Sequence, residues 1–146
     1  MPKGKKILPE NAAAPSSSCL LICDDVLQSV AKNKHLLHGV ISQVFVPKLP
    51  ALIGPYVAYV RLSNVHGSQS ITLSLAHAAT EEELFRFSAT SPAESDPLAT
   101  HTFILAIPPL RVTKAGRYIF EASHAGIPFA TNAIEISTPR RKRGKS

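Results

Sequence analysis

The sequence predicts an all-β fold, a single antiparallel β-sandwich of seven to eight strands. Apolar and polar residues alternate with a period of two along several short segments, as they do on strands that bury one face. Twelve prolines and seven glycines are spread along the 146 residues. The segments between them follow one another at intervals of about 8–12 residues, as in a sandwich. No long window shows the helical period of about 3.6 residues.

One folded domain is predicted over residues 19–137. It lies between a disordered tail of residues 1–18, rich in Lys, Ser, Ala and Pro, and a disordered basic tail of residues 138–146. The tails have almost no apolar side chains that a fold could bury. A chain of this length makes one domain, and it buries enough surface to be stable without a metal ion or a disulfide.

The first half of the domain contains four predicted strands. An apolar run opens it over Cys19–Cys23; Asp24-Asp25 ends this run or marks a bulge, and Val26-Leu27 continue it. A second strand, His35–Val46, is interrupted by Gly39. Pro55–Leu62 is the clearest strand prediction by composition, because it is rich in aromatic and β-branched residues. Ser70–Ala76 alternates cleanly, so its apolar residues are expected to face inward.

The second half contains a short strand over Leu84–Phe87, an alternating strand over His101–Ile107, and a closing hairpin. In the hairpin, Tyr118, Phe120 and Ala122 share the face that is predicted to be buried. The neighbouring residues on the other face include two charges, so that face is expected to be mostly solvated.

The turn of the closing hairpin is predicted at Ala125–Gly126, because glycine tolerates a positive φ. Pro128 has no amide donor, so the first residues of the return strand are expected at an edge or a bulge. Ile134 and Ile136 then resume the alternation around Glu135.

Gly116 and Tyr118, with Leu110 upstream, resemble the tyrosine corner of immunoglobulin-like domains. In those domains the Tyr ring packs in the core and its hydroxyl bonds back to the backbone. The cysteine that follows in the family is Phe120 here, so the disulfide between its sheets is absent.

Over roughly residues 19–137, the chain resembles a small bacterial family of uncharacterised immunoglobulin-like domains. The shared motifs are Cys23-Asp24 at the end of an apolar strand, the Gly39-Val40-Ile41 strand, the loop Pro47–Pro50, the aromatic-rich strand Tyr56–Leu62, and Ala115–Phe120 followed by Gly126. The resemblance implies the fold and brings no activity, cofactor or partner with it. The two basic tails lie outside the pattern that the chain shares with this family.

The positive charge of the chain is carried by its ends. They hold eight Lys or Arg and one Glu, a net charge of +7, whereas residues 11–139 hold eight cations and nine carboxylates, a net charge of −1. The cations of the ends are Arg140, Arg141, Lys142, Arg143, Lys145, Lys3, Lys5 and Lys6. The five cations within residues 140–145 cannot pack in a core, so they are expected to stay solvated.

The tail cations are predicted to contact nucleic-acid phosphates or an acidic partner. They would also suit an anionic membrane surface, or they could serve only to solubilise the chain. No aromatic residue stands among the tail cations to stack on a base. Tyr56 and Tyr59 lie on opposite faces of one strand, so at most one of them could be a surface platform.

A metal site is not expected. The spacings of Cys19, Cys23, His35 and His38 differ from those of zinc fingers. On a strand the two cysteines would lie about 13 Å apart, too far for a disulfide, and free cysteines favour a reducing compartment.

No catalytic constellation is predicted either. Neighbouring carboxylates on a strand, as at Asp24–Asp25, point to opposite faces and cannot flank one substrate. Ser123–His124 and the pair of Ser74 and His77 are available, but motifs of hydrolases, phosphate-binding loops and dinucleotide sites are missing. The sequence therefore predicts neither an enzyme nor a cofactor.

The predicted function is that of a non-enzymatic interaction or structural module that binds a protein partner. The alternative is a nucleic-acid-associated protein that binds phosphates non-specifically through its basic tails. An exposed edge strand could also pair two copies as a homodimer. No apolar run approaches the roughly 20 residues of a membrane span, and no secretory signal is recognised, so a cytoplasmic location is expected.

Overall fold

The computed structural model describes residues 17–29, 34–63, 70–90 and 100–139. These residues form strands and connecting turns without a helix, which confirms the predicted all-β class. The strands are β1 Ser17–Gln28, β2 His35–Val40, β3 Gln43–Phe45, β4 Ala51–Ile53, β5 Tyr56–Ser63, β6 Ser70–His77, β7 Glu83–Thr90, β8 Thr100–Ile107, β9 Leu110–Val112, β10 Gly116–His124 and β11 Ile127–Ser137.

Two sheets form the body of the molecule. The four-stranded sheet has the order β2-β1-β5-β8, and the five-stranded sheet has the order β3-β11-β10-β6-β7. All pairs in them are antiparallel except β3 with β11, and β4 and β9 form a short separate pair. Inward side chains of both sheets meet in one core, which includes Ile22, Val60, Leu62 and Phe103 from the first sheet and Ile71, Leu73, Phe120 and Ile134 from the second. Burying these apolar side chains is the main force that stabilises the sandwich.

The predicted number of seven to eight strands was too low, because the described residues contain eleven. Each of the eight predicted segments contains a strand, and the three additional strands, β3, β4 and β9, have three residues each. A segment this short shows too little alternation to be recognised. The single strand predicted over His35–Val46 was also wrong, since the chain leaves the four-stranded sheet after Val40 and β3 joins the other sheet.

The closing hairpin has the predicted arrangement. Its buried face is the expected one, with Tyr118 and Phe120 almost inaccessible to solvent. Ala125 and Gly126 both have positive φ, at 54° and 79°, as a two-residue type I′ turn requires. The register of β10 and β11 shifts between Ala122 and Ser123, next to the pair of Ser123 with Pro128, so the expected irregularity is present.

The hydrogen bond expected from the tyrosine corner also forms. The hydroxyl of Tyr118 donates to the carbonyl oxygen of Lys114 at 2.7 Å. Burial raises the pKa of Tyr118, so the hydroxyl keeps the proton that it donates. The bond ties the loop before β10 to the core.

His77 packs edge-on against the Tyr118 ring, with 4.8 Å between the ring centroids. Its Nδ1 accepts the backbone N–H groups of Ala79 and Thr80, both at 3.2 Å, and its Nε2 lies 3.1 Å from the carbonyl oxygen of Ala115. Only a neutral ring with its proton on Nε2 satisfies all three bonds. These contacts give His77 a structural role beside the tyrosine corner.

Candidate functional site

The eight cations of the predicted tail site lie outside the described residues. They are Lys3, Lys5, Lys6, Arg140, Arg141, Lys142, Arg143 and Lys145. Their contact with phosphates or with an acidic partner stays a prediction.

The outer face of the four-stranded sheet is unusually apolar for a surface. The residues of β1, β5 and β8 that face away from the core include Cys19, Leu21, Cys23, Val57, Tyr59, Arg61, Ser63, Thr100, Thr102, Ile104 and Ala106, of which most are apolar. Tyr59 is only 5% exposed and Cys23 is 0% exposed, although neither belongs to the core between the sheets. Another part of the chain therefore covers this face.

The hairpin of β1 and β2 folds back over this face. On β1, Leu21 pairs with Tyr59 and Gln28 pairs with His35. Leu21 and Gln28 are seven residues apart, which on a straight strand corresponds to about 23 Å. The hydroxyl of Tyr59 nevertheless lies 3.1 Å from Nδ1 of His35. A straight β1 cannot bring these atoms together, so the strand bends between its two halves.

The bend lies at Asp24 and Gly39. β1 pairs with β5 only as far as Cys23, and Asp24 and Gly39 lie opposite each other without a regular pair in the otherwise constant register of β1 with β2. Gly39 has a φ of 71°, and a Cβ atom there would lie 2.8 Å from Cγ of Asp24. The carboxylate of Asp25 accepts the N–H of Val26 at 2.8 Å. Glycine is thus needed at position 39 both for its backbone conformation and to admit the Asp24 side chain.

A groove of about 560 Å³ separates the end of the hairpin from the sheet. Its lining residues are Gln28 and His35 from the hairpin, Arg61 from β5, and Thr100, Thr102 and Ile104 from β8. A smaller cavity of about 290 Å³ shares Arg61 and Thr100 with it and extends to Cys19. We call the larger of the two the hairpin groove.

The hairpin groove presents hydrogen-bond donors and one fixed positive charge. Arg61 is exposed and makes no ion pair within 4 Å with any residue in the described ranges. None of the described residues that line the groove carries a carboxylate. A guanidinium group, two threonine hydroxyls and a glutamine amide together suit a ligand that accepts hydrogen bonds, above all a carboxylate.

β8 borders the hairpin groove and forms one edge of the four-stranded sheet. Within the described part of the chain it pairs with β5 alone, in an unbroken register over eight residues. The strand has no charged residue, glycine or proline. In an antiparallel sheet, alternate residues of an edge strand direct their N–H and C=O groups away from the sheet. About four residues of β8 therefore offer backbone groups to another strand.

The two cysteines are free. Burial, with a further contribution from Asp24, raises the pKa of the Cys23 thiol, so little thiolate forms there. Within the described ranges, no three His, Cys, Asp or Glu side chains come close enough to hold a metal ion. No helix in these ranges is long and apolar enough to cross a membrane.

Sequence reasoning placed Tyr59 and Arg61 on one face of their strand, and the structure confirms this. It missed the groove itself, because Gln28 and His35 reach that face only through the bend. The available signal was the polar pair Asp24-Asp25 inside an apolar strand, opposite a strand interrupted by Gly39.

None of the curated proteins compared with the chain matches it. The model of a family of unknown function, DUF6941, matches residues 18–137, which include all the described strands apart from the first residue of β1. This range agrees with the resemblance seen over residues 19–137 and confirms an uncharacterised family. The bacterial origin and the immunoglobulin-like character that the resemblance implies stay predictions. The chain belongs to the DUF6941 family, whose function is unknown.

Proposed function

We propose that the protein is a non-enzymatic interaction module that binds an extended segment of a partner protein by strand addition to β8. The observation that carries the proposal is the eight-residue edge of β8, which has no feature that discourages pairing. Strand addition uses the backbone groups of such an edge for affinity and the pockets beside it for specificity. The hairpin groove is a pocket in this position, since three of its lining residues belong to β8.

The other edge strands carry features that protect sheets from pairing. β7 contains the ion pair of Glu83 and Arg86, at 2.8 Å, and its pairing with β6 has a register shift. β3 has only three residues, and β2 contains Gly39, whose positive φ departs from regular strand geometry. β8 is thus the edge best suited to receive a strand.

Charge favours a different protein over a second copy of this chain. Pairing of β8 with β8 would bring only uncharged side chains of the outer face to the hairpin groove, because the strand contains no carboxylate. Arg61 would then stay without an anionic partner. A segment of another protein can supply the missing charge.

The proposal can be tested by selecting eight-residue peptides on the full-length chain from a random display library. Bound peptides should shift the amide NMR signals of β8 and slow their hydrogen exchange. Ile104→Lys, at a site 41% exposed on β8, should abolish binding, because an edge lysine opposes strand addition. The matched control is Phe87→Lys on β7, at a site 44% exposed, which should leave binding unchanged. Peptides that protect another surface, or self-association of the chain through β8, would contradict the proposal.

A second candidate function is non-specific binding of nucleic acid through the tails. The separation of a +7 charge at the ends from a −1 body favours it. Binding of the full chain to duplex DNA should weaken steeply with salt, with a log–log slope of up to about −0.9 per phosphate neutralised. Changing the five cations of 140–146 to glutamine in the full-length chain should reduce that slope. An unchanged affinity would rule this function out.

We also infer an immunoglobulin-like arrangement of the strands. The order β11-β10-β6-β7 corresponds to the G-F-C-C′ order of variable-type domains, and the hydrogen bond of Tyr118 lies near the start of the strand that corresponds to F. Such domains commonly serve as recognition modules, but this analogy concerns the fold alone.

A further inference from the structure

We infer that the hairpin groove receives a glutamate side chain from the partner strand that adds to β8. This inference rests on the proposed function and specifies the chemistry of the partner. It starts from Arg61, whose guanidinium group is exposed at the groove and has no carboxylate within 4 Å among the described residues.

The surroundings of Arg61 favour an acceptor that carries a full negative charge. On β5, Arg61 pairs with Cys19 of β1 on one side and with Thr102 of β8 on the other. Neither neighbour is acidic, and the remaining groove residues are neutral or can donate hydrogen bonds. A carboxylate can accept two parallel hydrogen bonds from a guanidinium group, which gives direction as well as attraction.

The geometry of strand addition selects which residues of the partner face the groove. Thr100, Thr102 and Ile104 are alternate residues of β8, and all three line the groove. A strand that pairs with β8 directs alternate side chains to the same face of the sheet. A carboxylate at every second position of the partner segment therefore faces Arg61, and a carboxylate at the positions between them points to the other face of the sheet.

The distance across the strands favours glutamate over aspartate. The added strand would lie beside β8, and Arg61 lies on β5, one strand further in. Neighbouring strands are about 4.8 Å apart, so the two backbones are separated by about 10 Å. An arginine side chain is long enough to extend over β8 toward the added strand, and the longer side chain of glutamate closes the remaining gap better than that of aspartate.

The inference can be tested with synthetic eight-residue peptides of alternating Thr and Val that carry one central Glu, Asp or Gln at either of two adjacent positions. Binding to the full-length chain is followed by NMR. At one of the two positions, the Glu peptide should bind roughly fivefold more tightly than the Gln peptide, which is the upper range for a solvent-exposed ion pair. The Asp peptide should fall between them.

Two variants make the test specific. Arg61→Gln should remove the preference for Glu and leave the affinity of the Gln peptide unchanged. Arg111→Gln is the matched control, because Arg111 is also exposed and is without an ion pair in the described ranges, but lies on β9. It should preserve the preference.

The outcomes separate the inference from the proposed function. Equal binding of Glu and Gln peptides at β8 would overturn the glutamate inference while supporting strand addition. Failure of every peptide to bind would overturn both. If no peptide binds but free glutarate shifts the side-chain signals of Arg61, the groove is an independent anion site, and the inference is again wrong.

Discussion

Gly39→Ala tests the bend that forms the hairpin groove. A residue other than glycine at a left-handed φ costs about 1–2 kcal/mol. The added Cβ atom would lie 2.8 Å from Cγ and 2.9 Å from Cβ of Asp24, which is closer than normal van der Waals contact. Relieving this overlap requires a shift of the backbone and costs about 1–3 kcal/mol more. We therefore expect Gly39→Ala to lower the free energy of unfolding by about 2–5 kcal/mol in total.

Gly126→Ala is the matched control. Gly126 also has a positive φ, 79°, but a Cβ atom there would meet nothing within 4 Å. Only the backbone contribution of about 1–2 kcal/mol then applies. Both substitutions also restrict the unfolded chain similarly, so this effect cancels when they are compared. The difference between the two variants isolates the contact with Asp24.

Urea unfolding measures this difference through the midpoints, provided that the slopes with denaturant agree. Asp24→Gly in the Gly39→Ala background should recover the steric part, which a double-mutant cycle reports as a coupling energy of about 1–3 kcal/mol. NMR should show that the contact between His35 and Tyr59 weakens in Gly39→Ala, since the hairpin must lift. Equal stabilities of the Gly39→Ala and Gly126→Ala variants would refute the reasoning.

Three further predictions concern the core and its ionisable groups. Tyr118→Phe leaves the Lys114 carbonyl without its hydrogen-bond donor, so it should lower the free energy of unfolding by about 1–3 kcal/mol. A loss below about 0.5 kcal/mol in urea unfolding would contradict a stabilising role of this hydrogen bond. In thiol labelling of the folded chain, Cys23 should react on the order of a hundredfold more slowly than Cys19, because local opening that costs about 3 kcal/mol must precede attack. The Cys19→Ser variant should show only the slow labelling reaction. A thiol that is still labelled fast in this variant would show that Cys23 is accessible. Burial lowers the pKa of His124 below its usual 6.5, so the unfolded chain takes up a proton more readily than the folded one, and stability should fall as the pH drops through about 6.5. The free energy of unfolding of wild type should fall relative to that of His124→Gln over that range, and a constant difference would exclude the effect.

The larger strands could be predicted because their side chains alternate over enough residues to reveal a buried face. β6 shows this most clearly, with Ile71, Leu73 and Leu75 all buried. The three-residue strands β3, β4 and β9 depend on partners that are distant in sequence. Since nothing within three residues specifies such a partner, the exact number of strands could not be derived from local patterns.

The hairpin groove required information of a different kind. Alternation places Arg61 on the outer face of β5, but it cannot show that Gln28 and His35 stand opposite. Their position follows from the contact between Asp24 and Gly39, which are fifteen residues apart and belong to different strands. Sequence reasoning considered Asp24 with Asp25 as a catalytic pair, which it did not expect, and as the end of a strand or a bulge. It did not recognise that an aspartate against a glycine can bend a hairpin.

Asp24 and Gly39 both belong to the motifs on which the family resemblance rests, whereas Gln28 and His35 do not. The family pattern thus contains the residues that fold the hairpin over the sheet, and it leaves the end of the hairpin unspecified. We therefore expect the bend to be a property of the family fold and the lining of the groove to differ among its members, as binding residues on a rigid scaffold commonly do. Structures of further members would decide this. A member with the Asp–Gly contact but a hairpin that extends away from the sheet would show that the contact does not cause the fold-back.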